Sequence, residues 1–98
     1  MIVATEIYAG QYKASVSAAG VVRSGPSRLV RLVVTTTGTG TFTIIDGDGT
    51  NVGDTVYSNS GMAAGTVVVL DMPMSFGINV TANGTSQVTE FVYDKHLA

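Results

Sequence analysis

Apolar and polar residues alternate with a period of two over several short stretches of the chain. In residues 11–18, Ala14 and Val16 fall on one face of an extended strand, and Lys13 and Ser15 fall on the other. Glycine interrupts these stretches about every eight to twelve residues, and no long stretch has the apolar spacing of an amphipathic helix. The pattern predicts an all-β chain.

About eight segments carry this strand pattern, and turn residues separate them. They are residues 11–18, 21–24, 28–36, 41–46, 54–58, 66–72, 76–82 and 86–93. Residues 37–40 and the pair Asn83-Gly84 are predicted to be hairpin turns, because their residue types accept a positive φ. Strands without crossover helices favour two packed sheets, so we predict an antiparallel β-sandwich of jelly-roll or immunoglobulin-like topology.

Two of the predicted strands are apolar on both faces. Residues 29–34 carry leucine and valine at odd and even positions, and Val67-Val68-Val69-Leu70 is a continuous apolar run. In an antiparallel sandwich only one face of a strand meets the core. A loop, a chain end or another subunit must therefore cover the other face, and burial at about 25 cal/mol/Å² would favour oligomerisation.

The chain is predicted to be a single domain over residues 1–98, with 1–10 as an N-terminal arm and 94–98 as a C-terminal tail. The apolar arm could cover its own sheet or reach a neighbouring protomer. Three arginines near the turn at residues 24–26 could pair with acidic groups of a partner or remain solvated at strand ends. The predicted partner interface consists of Ile2, Ile7, Tyr8, Tyr12, Arg23, Arg28, Leu29, Arg31 and Val33.

Low charge sets the chain apart from an ordinary small domain. Charged residues make up 12% of its 98 residues, against about 25% in typical soluble domains. Five basic residues and a net charge of −2 argue against a nucleic-acid partner. The N-terminus lacks a signal-peptide pattern, and no stretch approaches the about 18 apolar residues of a membrane span. We therefore expect synthesis in a cytoplasm and no membrane partner.

The sharpest polar feature is the acidic loop Asp46-Gly47-Asp48-Gly49-Thr50-Asn51, followed by Asp54. Closely spaced carboxylates with glycine can bind calcium. An EF-hand loop that starts at Asp46 needs glycine at position 51 and glutamate at position 57, and this chain has Asn51 and Tyr57 there. Asp-Gly pairs are also common turn residues. We predict a plain loop, with no metal and no cofactor.

No motif in the sequence favours catalysis. His96 is the single histidine and lies near the C-terminal end, and there is no Gly-x-Ser-x-Gly motif. Glu90 and Asp71 could form a glycosidase pair, but nothing favours them. Four tyrosines and three phenylalanines, without tryptophan, could form a sugar platform, although most of them fit inward strand positions. We predict that the chain is not an enzyme.

Two stretches resemble a group of small proteins from tailed bacteriophages and prophages. The first runs from residue 24 to residue 46 and reads SGPSRLVRLVVTTTGTGTFTIID. The second contains Gly65-Thr66-Val67, Asp71-Met72-Pro73 and Phe76-Gly77-Ile78-Asn79-Val80. The chain departs from that group at Ile45, where the group often has tyrosine, and in a longer segment over residues 46–65.

The resemblance implies a virion structural protein, most concretely a capsid decoration (cement) protein that binds the major capsid protein on the outer surface of the expanded head. It implies a small β-sandwich, a homotrimer and a place on the capsid surface after synthesis in the host bacterial cytoplasm. No catalytic residue carries over. Two alternatives stay open: a tail, fibre-base or head–tail joining protein, and a carbohydrate- or receptor-binding β-sandwich module.

Overall fold

The computed structural model describes residues 2–8 and 10–95, and within them it consists of strands, turns and loops. The strands are β1 (Ile2–Tyr8), β2 (Gln11–Val16), β3 (Gly20–Ser24), β4 (Ser27–Thr36), β5 (Thr39–Gly47), β6 (Val52–Ser60), β7 (Val67–Met74), β8 (Gly77–Thr85) and β9 (Val88–Asp94). No helix long and apolar enough to cross a membrane occurs in this described part of the chain.

The strands form two antiparallel sheets that pack face to face. The larger sheet has the order β1-β2-β9-β4-β7, and the smaller sheet has the order β3-β8-β5-β6. From β2 onward the chain changes sheet at every connection except β5–β6, which gives the strand order of a jelly roll. The predicted all-β antiparallel sandwich is confirmed, with nine strands in the described residues and a jelly-roll rather than an immunoglobulin-like order.

Both predicted hairpin turns are wrong, because the chain crosses between the sheets at these points. The connection at residues 37–38 leads from β4 in the larger sheet to β5 in the smaller sheet. Asn83 and Gly84 lie inside β8, where Gly84 has a φ of 67°. A side chain at Gly84 would collide with the carbonyl oxygen of Thr39, so a close approach of β5 explains the glycine.

A β-bulge on β4 explains why its sequence is apolar at odd and even positions. The register to β9 shifts between Leu29 and Arg31, so two residues of β4 advance against one residue of β9. Because of this extra residue, side chains at an odd position before the bulge and at even positions after it point into the core. Leu29, Leu32 and Val34 are accordingly all buried. The apolar second face that the sequence predicts for β4 is therefore largely the product of this bulge.

Residues 67–69 of β7 pair with β4 without a bulge, and this part of β7 is apolar on both faces. Val68 and Leu70 point inward and pack against the core. Val67 and Val69 point outward and are 56% and 72% exposed. No described loop or chain end covers them, so the expectation of an apolar outer face is confirmed for β7.

The core between the sheets is built from the inward residues of both. Its fully buried members include Phe42, Phe91, Leu29, Leu32, Ile44, Ile78 and Val80. The rings of Phe42 and Phe91 meet edge to face, with centroids 6.2 Å apart, and join the two sheets at the centre. This contact links β5 of the smaller sheet to β9 of the larger sheet.

The N-terminal segment that the sequence suggests as an arm contributes a strand. Residues 2–8 form β1, which pairs with β2 at one edge of the larger sheet. Ile2 is half-buried and packs against the core beside Gly20. The segment therefore extends the sheet and does not cover the outer face of β4 or β7. At the other end, β9 includes Asp94, and residues 96–98 lie outside the described residues.

Candidate partner-binding surface

The predicted interface residues lie in three places, not on one surface. Ile2, Ile7, Tyr8 and Tyr12 belong to β1 and β2 at one edge of the larger sheet, Arg28, Leu29, Arg31 and Val33 belong to β4, and Arg23 belongs to β3 of the smaller sheet. Leu29 is fully buried in the core, because of the bulge, and it cannot contact a partner. Leu29 is therefore not part of the partner interface, although the sequence predicts it there.

Next to β1, Tyr12 of β2 packs against the core through Tyr93 of β9. The rings of Tyr12 and Tyr93 are stacked with centroids 5.6 Å apart, and the Lys95 ammonium lies 5.9 Å from the Tyr12 centroid. Burial raises the pKa of Tyr93 above its usual value. Ile7 is exposed, and the side chain of Tyr8 lies outside what the structure describes.

The three arginines that the sequence groups together have separate surroundings. Arg28 forms an ion pair with Asp71 at 3.0 Å and also donates to the Asp71 carbonyl. Arg23 donates to the Lys95 carbonyl at 3.3 Å. Arg31 is exposed on the outer face of the larger sheet and has no ion pair with any described residue. Of the three, Arg31 is the one with an exposed side chain, so its charge is the most accessible to a partner.

An apolar patch lies beside Arg31 on the outer face of the larger sheet, and we call Val33, Val67 and Val69 the valine patch. Val67 pairs with Val33, and Val69 pairs with Arg31 in the register between β7 and β4. Because paired residues share a face, these side chains form two adjacent rows. The interface predicted from the sequence includes Val33 but omits Val67 and Val69, although the run at residues 67–70 signalled them.

Strand β7 is also an edge strand, with β4 as its single neighbour in the sheet. Val34 donates its N–H to the Thr66 carbonyl at 2.9 Å, so the backbone of Val34 faces β7. Alternation along the ladder then turns the backbone of Leu32 and its partner Val68 toward each other. The N–H and C=O groups of Val67 and Val69 point away from β4, toward the open edge.

The acidic loop uses its carboxylates to hold backbone groups. Asp46 accepts hydrogen bonds from the N–H groups of Ser75 at 2.9 Å and Phe76 at 2.8 Å, which fixes the turn between β7 and β8. Asp48 closes its own turn by accepting from the N–H groups of Thr50 and Asn51. The hydrogen bonds from Asn51 and Thr50 hold the pKa of Asp48 below its usual value.

The remaining candidate catalytic residues are placed apart from one another. Glu90 lies 3.5 Å from the Lys13 ammonium on the outer face, and Asp71 pairs with Arg28. His96 lies outside the described residues. Within residues 2–8 and 10–95 there is no cleft and no group of three or more metal-ligating side chains.

Most of the aromatic residues that a sugar platform would need are inside the protein. Phe42, Phe91 and Tyr93 are buried in the core, and Tyr12 and Tyr57 are partly buried against it. Phe76 is partly exposed at the turn between β7 and β8. Apart from Phe76, the described aromatic side chains therefore pack in or against the core, and they present no flat, exposed row for a sugar ring.

A buried polar cluster lies where β8 connects to β9. The side-chain amide of Gln87 donates to the Thr89 hydroxyl at 3.0 Å, and the side-chain amide of Asn83 donates to the backbone carbonyl of Gln87 at 3.0 Å. The side-chain oxygens of Asn83 and Gln87 are buried and accept no hydrogen bond from the described residues. Buried oxygens without a donor lower the free energy of unfolding.

No family model, no curated protein and no solved structure matches this chain.

Proposed function

We propose that the chain is a bacteriophage virion structural protein, namely a capsid decoration protein that binds the major capsid protein on the outer surface of the expanded head. The observation that carries the proposal is a surface made for broad contact. Exposed apolar side chains lie on strand edges and outer faces, with Val69 and Val52 each 72% exposed. A protein that acts by lying against large partners needs such faces and needs no cleft.

The resemblance to small phage proteins supports the same role. Its first stretch, residues 24–46, covers β4 and nearly all of β5. Its second, at residues 65–67, 71–73 and 76–80, covers parts of β7 and the start of β8. Strands β4 and β7 carry the valine patch. Two of the three patch residues, Val33 and Val67, therefore belong to the similar segments, whereas Val69 lies outside them.

The jelly-roll order is compatible with this role, since viral capsid proteins use it, and lectins use it as well. Fold alone does not choose between them. The buried positions of Phe42, Phe91 and Tyr93 favour contact with protein over contact with sugar. Low charge points the same way, because the cores of protein interfaces are depleted in charged residues.

Decoration would stabilise the head by adding contacts across capsomer boundaries. Each copy contributes a modest binding energy, and many copies on one lattice add these energies by mass action. The homotrimer that the resemblance implies would place three copies around a lattice axis. The proposal therefore predicts many copies in each particle and binding that depends on the expanded lattice.

The test is a count of copies per particle by quantitative mass spectrometry on purified virions, with the major capsid protein as the internal standard. Hundreds of copies support decoration, whereas up to about two dozen copies would move the chain to the tail, neck or fibre base, as expected for symmetric rings. Absence from the particle overturns the proposal. As a matched control, purified chain should bind expanded heads that lack it and should not bind unexpanded heads.

A further inference from the structure

Four strands lie at sheet edges, and β7 differs from the other three. Glu6 on β1, Arg23 on β3 and Asp54 on β6 place a charge on each of those edges. Charges on an edge strand oppose pairing with another chain. On β7 the first charge is Asp71, so the run at residues 67–70 is an uncharged edge of an apolar strand.

We infer that β7 pairs antiparallel with β7 of a second copy of this chain, so that the two larger sheets join into one continuous sheet across a two-fold axis. The open edge supplies backbone N–H and C=O groups at Val67 and Val69, and the second copy supplies the same groups in reverse order. A two-fold contact requires a self-complementary surface, and an antiparallel edge meets that requirement. This pairing stands on the geometry of β7 and holds whatever the chain's function is.

The register of the pairing follows from the side chains. With the axis at Val68, Val67 lies opposite Val69 of the second copy, and the four valines form one apolar cluster on the outer face. An axis at Val69 would place Val67 opposite Asp71, where φ is 48° and the strand is irregular. Only the axis at Val68 pairs every exposed valine of β7 with another valine.

The charges beside the patch tolerate this register. On the outer face, Arg31 of β4 lies beside Val69 of β7, and Val33 of β4 lies beside Val67. The cluster of four valines is therefore bordered by Val33 and Arg31 of each copy. The Asp71 residues of the two copies lie about 20 Å apart along the strands, at about 3.4 Å per residue. This separation exceeds the Debye length of about 8 Å at physiological ionic strength, so their repulsion is screened.

A pairing of two short strands buries little area, and we expect a reversible equilibrium. Stable interfaces bury at least about 1,200 Å². Copies held close together on a larger assembly would pair at a high effective concentration. In solution, the fraction of chains joined through β7 should therefore rise with protein concentration, whether the joined units are monomers or the trimers of the proposed function.

The first experiment is sedimentation velocity of the whole chain over a range of concentrations, with two variants. Val69→Lys places an ammonium in the contact twice, and it should lower the association constant by about tenfold or more. Val52→Lys is the matched control, because Val52 is also 72% exposed and also lies on an edge strand, β6. It should associate like the unaltered chain.

The second experiment tests the register with single cysteines, since the chain has none of its own. At the axis, the two Val68 residues form a non-hydrogen-bonded pair with Cα atoms about 4.5 Å apart, within disulfide range. Val68→Cys should therefore cross-link into a dimer on oxidation, faster than Val52→Cys, although position 52 is more exposed. Urea unfolding of each variant confirms that it is folded before comparison.

Three results would overturn the pairing: a monomer at all concentrations, an assembly of any size that Val69→Lys leaves unchanged, or cross-linking through Val69→Cys without cross-linking through Val68→Cys. The proposed decoration function is tested separately, by the number of copies in each virion. A chain that is absent from virions yet dimerises through β7 loses its proposed function and keeps this pairing. A chain that coats heads and stays monomeric in solution keeps its function and loses the pairing.

Discussion

Replacing Leu29 and Leu32 one at a time by alanine tests the bulge on β4. In a regular strand, residues three positions apart point to opposite faces. The bulge turns both inward, and both are fully buried. Leu32 lies between Val68 and Phe91 in the register of the larger sheet, at the centre of the core. The two variants should therefore be similarly destabilising.

The size of the effect follows from the burial. Removing a fully buried leucine side chain costs about 2–5 kcal/mol, so we expect about 3 kcal/mol for each variant. A domain of this size has a free energy of unfolding of about 5–15 kcal/mol. The melting temperature should fall by about 12–24 °C, at about 4–8 °C for each kcal/mol. Val33→Ala, on the half-buried outer face, should cost less than about 1 kcal/mol.

Urea unfolding followed by circular dichroism measures all three free energies under the same conditions. If either leucine variant is as mild as Val33→Ala, β4 is a regular strand and the bulge is refuted. Leu32→Asp is the extreme case, because it buries an unpaired charge and should leave no folded domain. A folded Leu32→Asp protein with unchanged melting would contradict the assignment of the core.

The other predictions concern polar groups. Asp46→Ala should lower the free energy of unfolding by about 2 kcal/mol, because the turn between β7 and β8 loses its acceptor; Asp48→Ala, which disturbs only its own loop, should cost less in the same urea titration. Because the pKa of Asp48 is lowered in the folded chain, its ionised carboxylate stabilises the fold at pH values above its usual pKa of 3.8. This contribution is lost as the pH falls through the lower pKa of the folded state. Carboxyl NMR should show that pKa rising in Asn51→Ala, which removes the side-chain donor and keeps the backbone N–H groups, and an unchanged pKa would refute the contribution of the Asn51 side chain. For the buried cluster, the double variant Gln87→Met/Thr89→Val should lose about 1 kcal/mol less stability than the two single variants together, because both partners of the hydrogen bond are removed at once. Additive losses in a double-mutant cycle would argue against a shared hydrogen bond.

The partner surface shows where reasoning from sequence succeeded and where it failed. The apolar run at residues 67–70 predicts a strand with an uncovered face, and Val67 and Val69 are exposed as expected. The similar pattern on β4 has another cause, the bulge, which buries Leu29. A bulge depends on what the neighbouring strands require, and the sequence of β4 carries no local signal for it.

What the sequence determined by itself is the local character of the chain. Period-two alternation, β-branched residues and glycines established the strands and many inward residues, such as Ala14 and Val16, because burial of alternate side chains is a local property. Tertiary structure decided which strands are neighbours. At residues 37–38 and after Gly84 the chain crosses to the other sheet instead of turning back. These pairings join residues far apart in the chain, and they are chosen by the packing of the whole core, for which a short turn sequence holds no information.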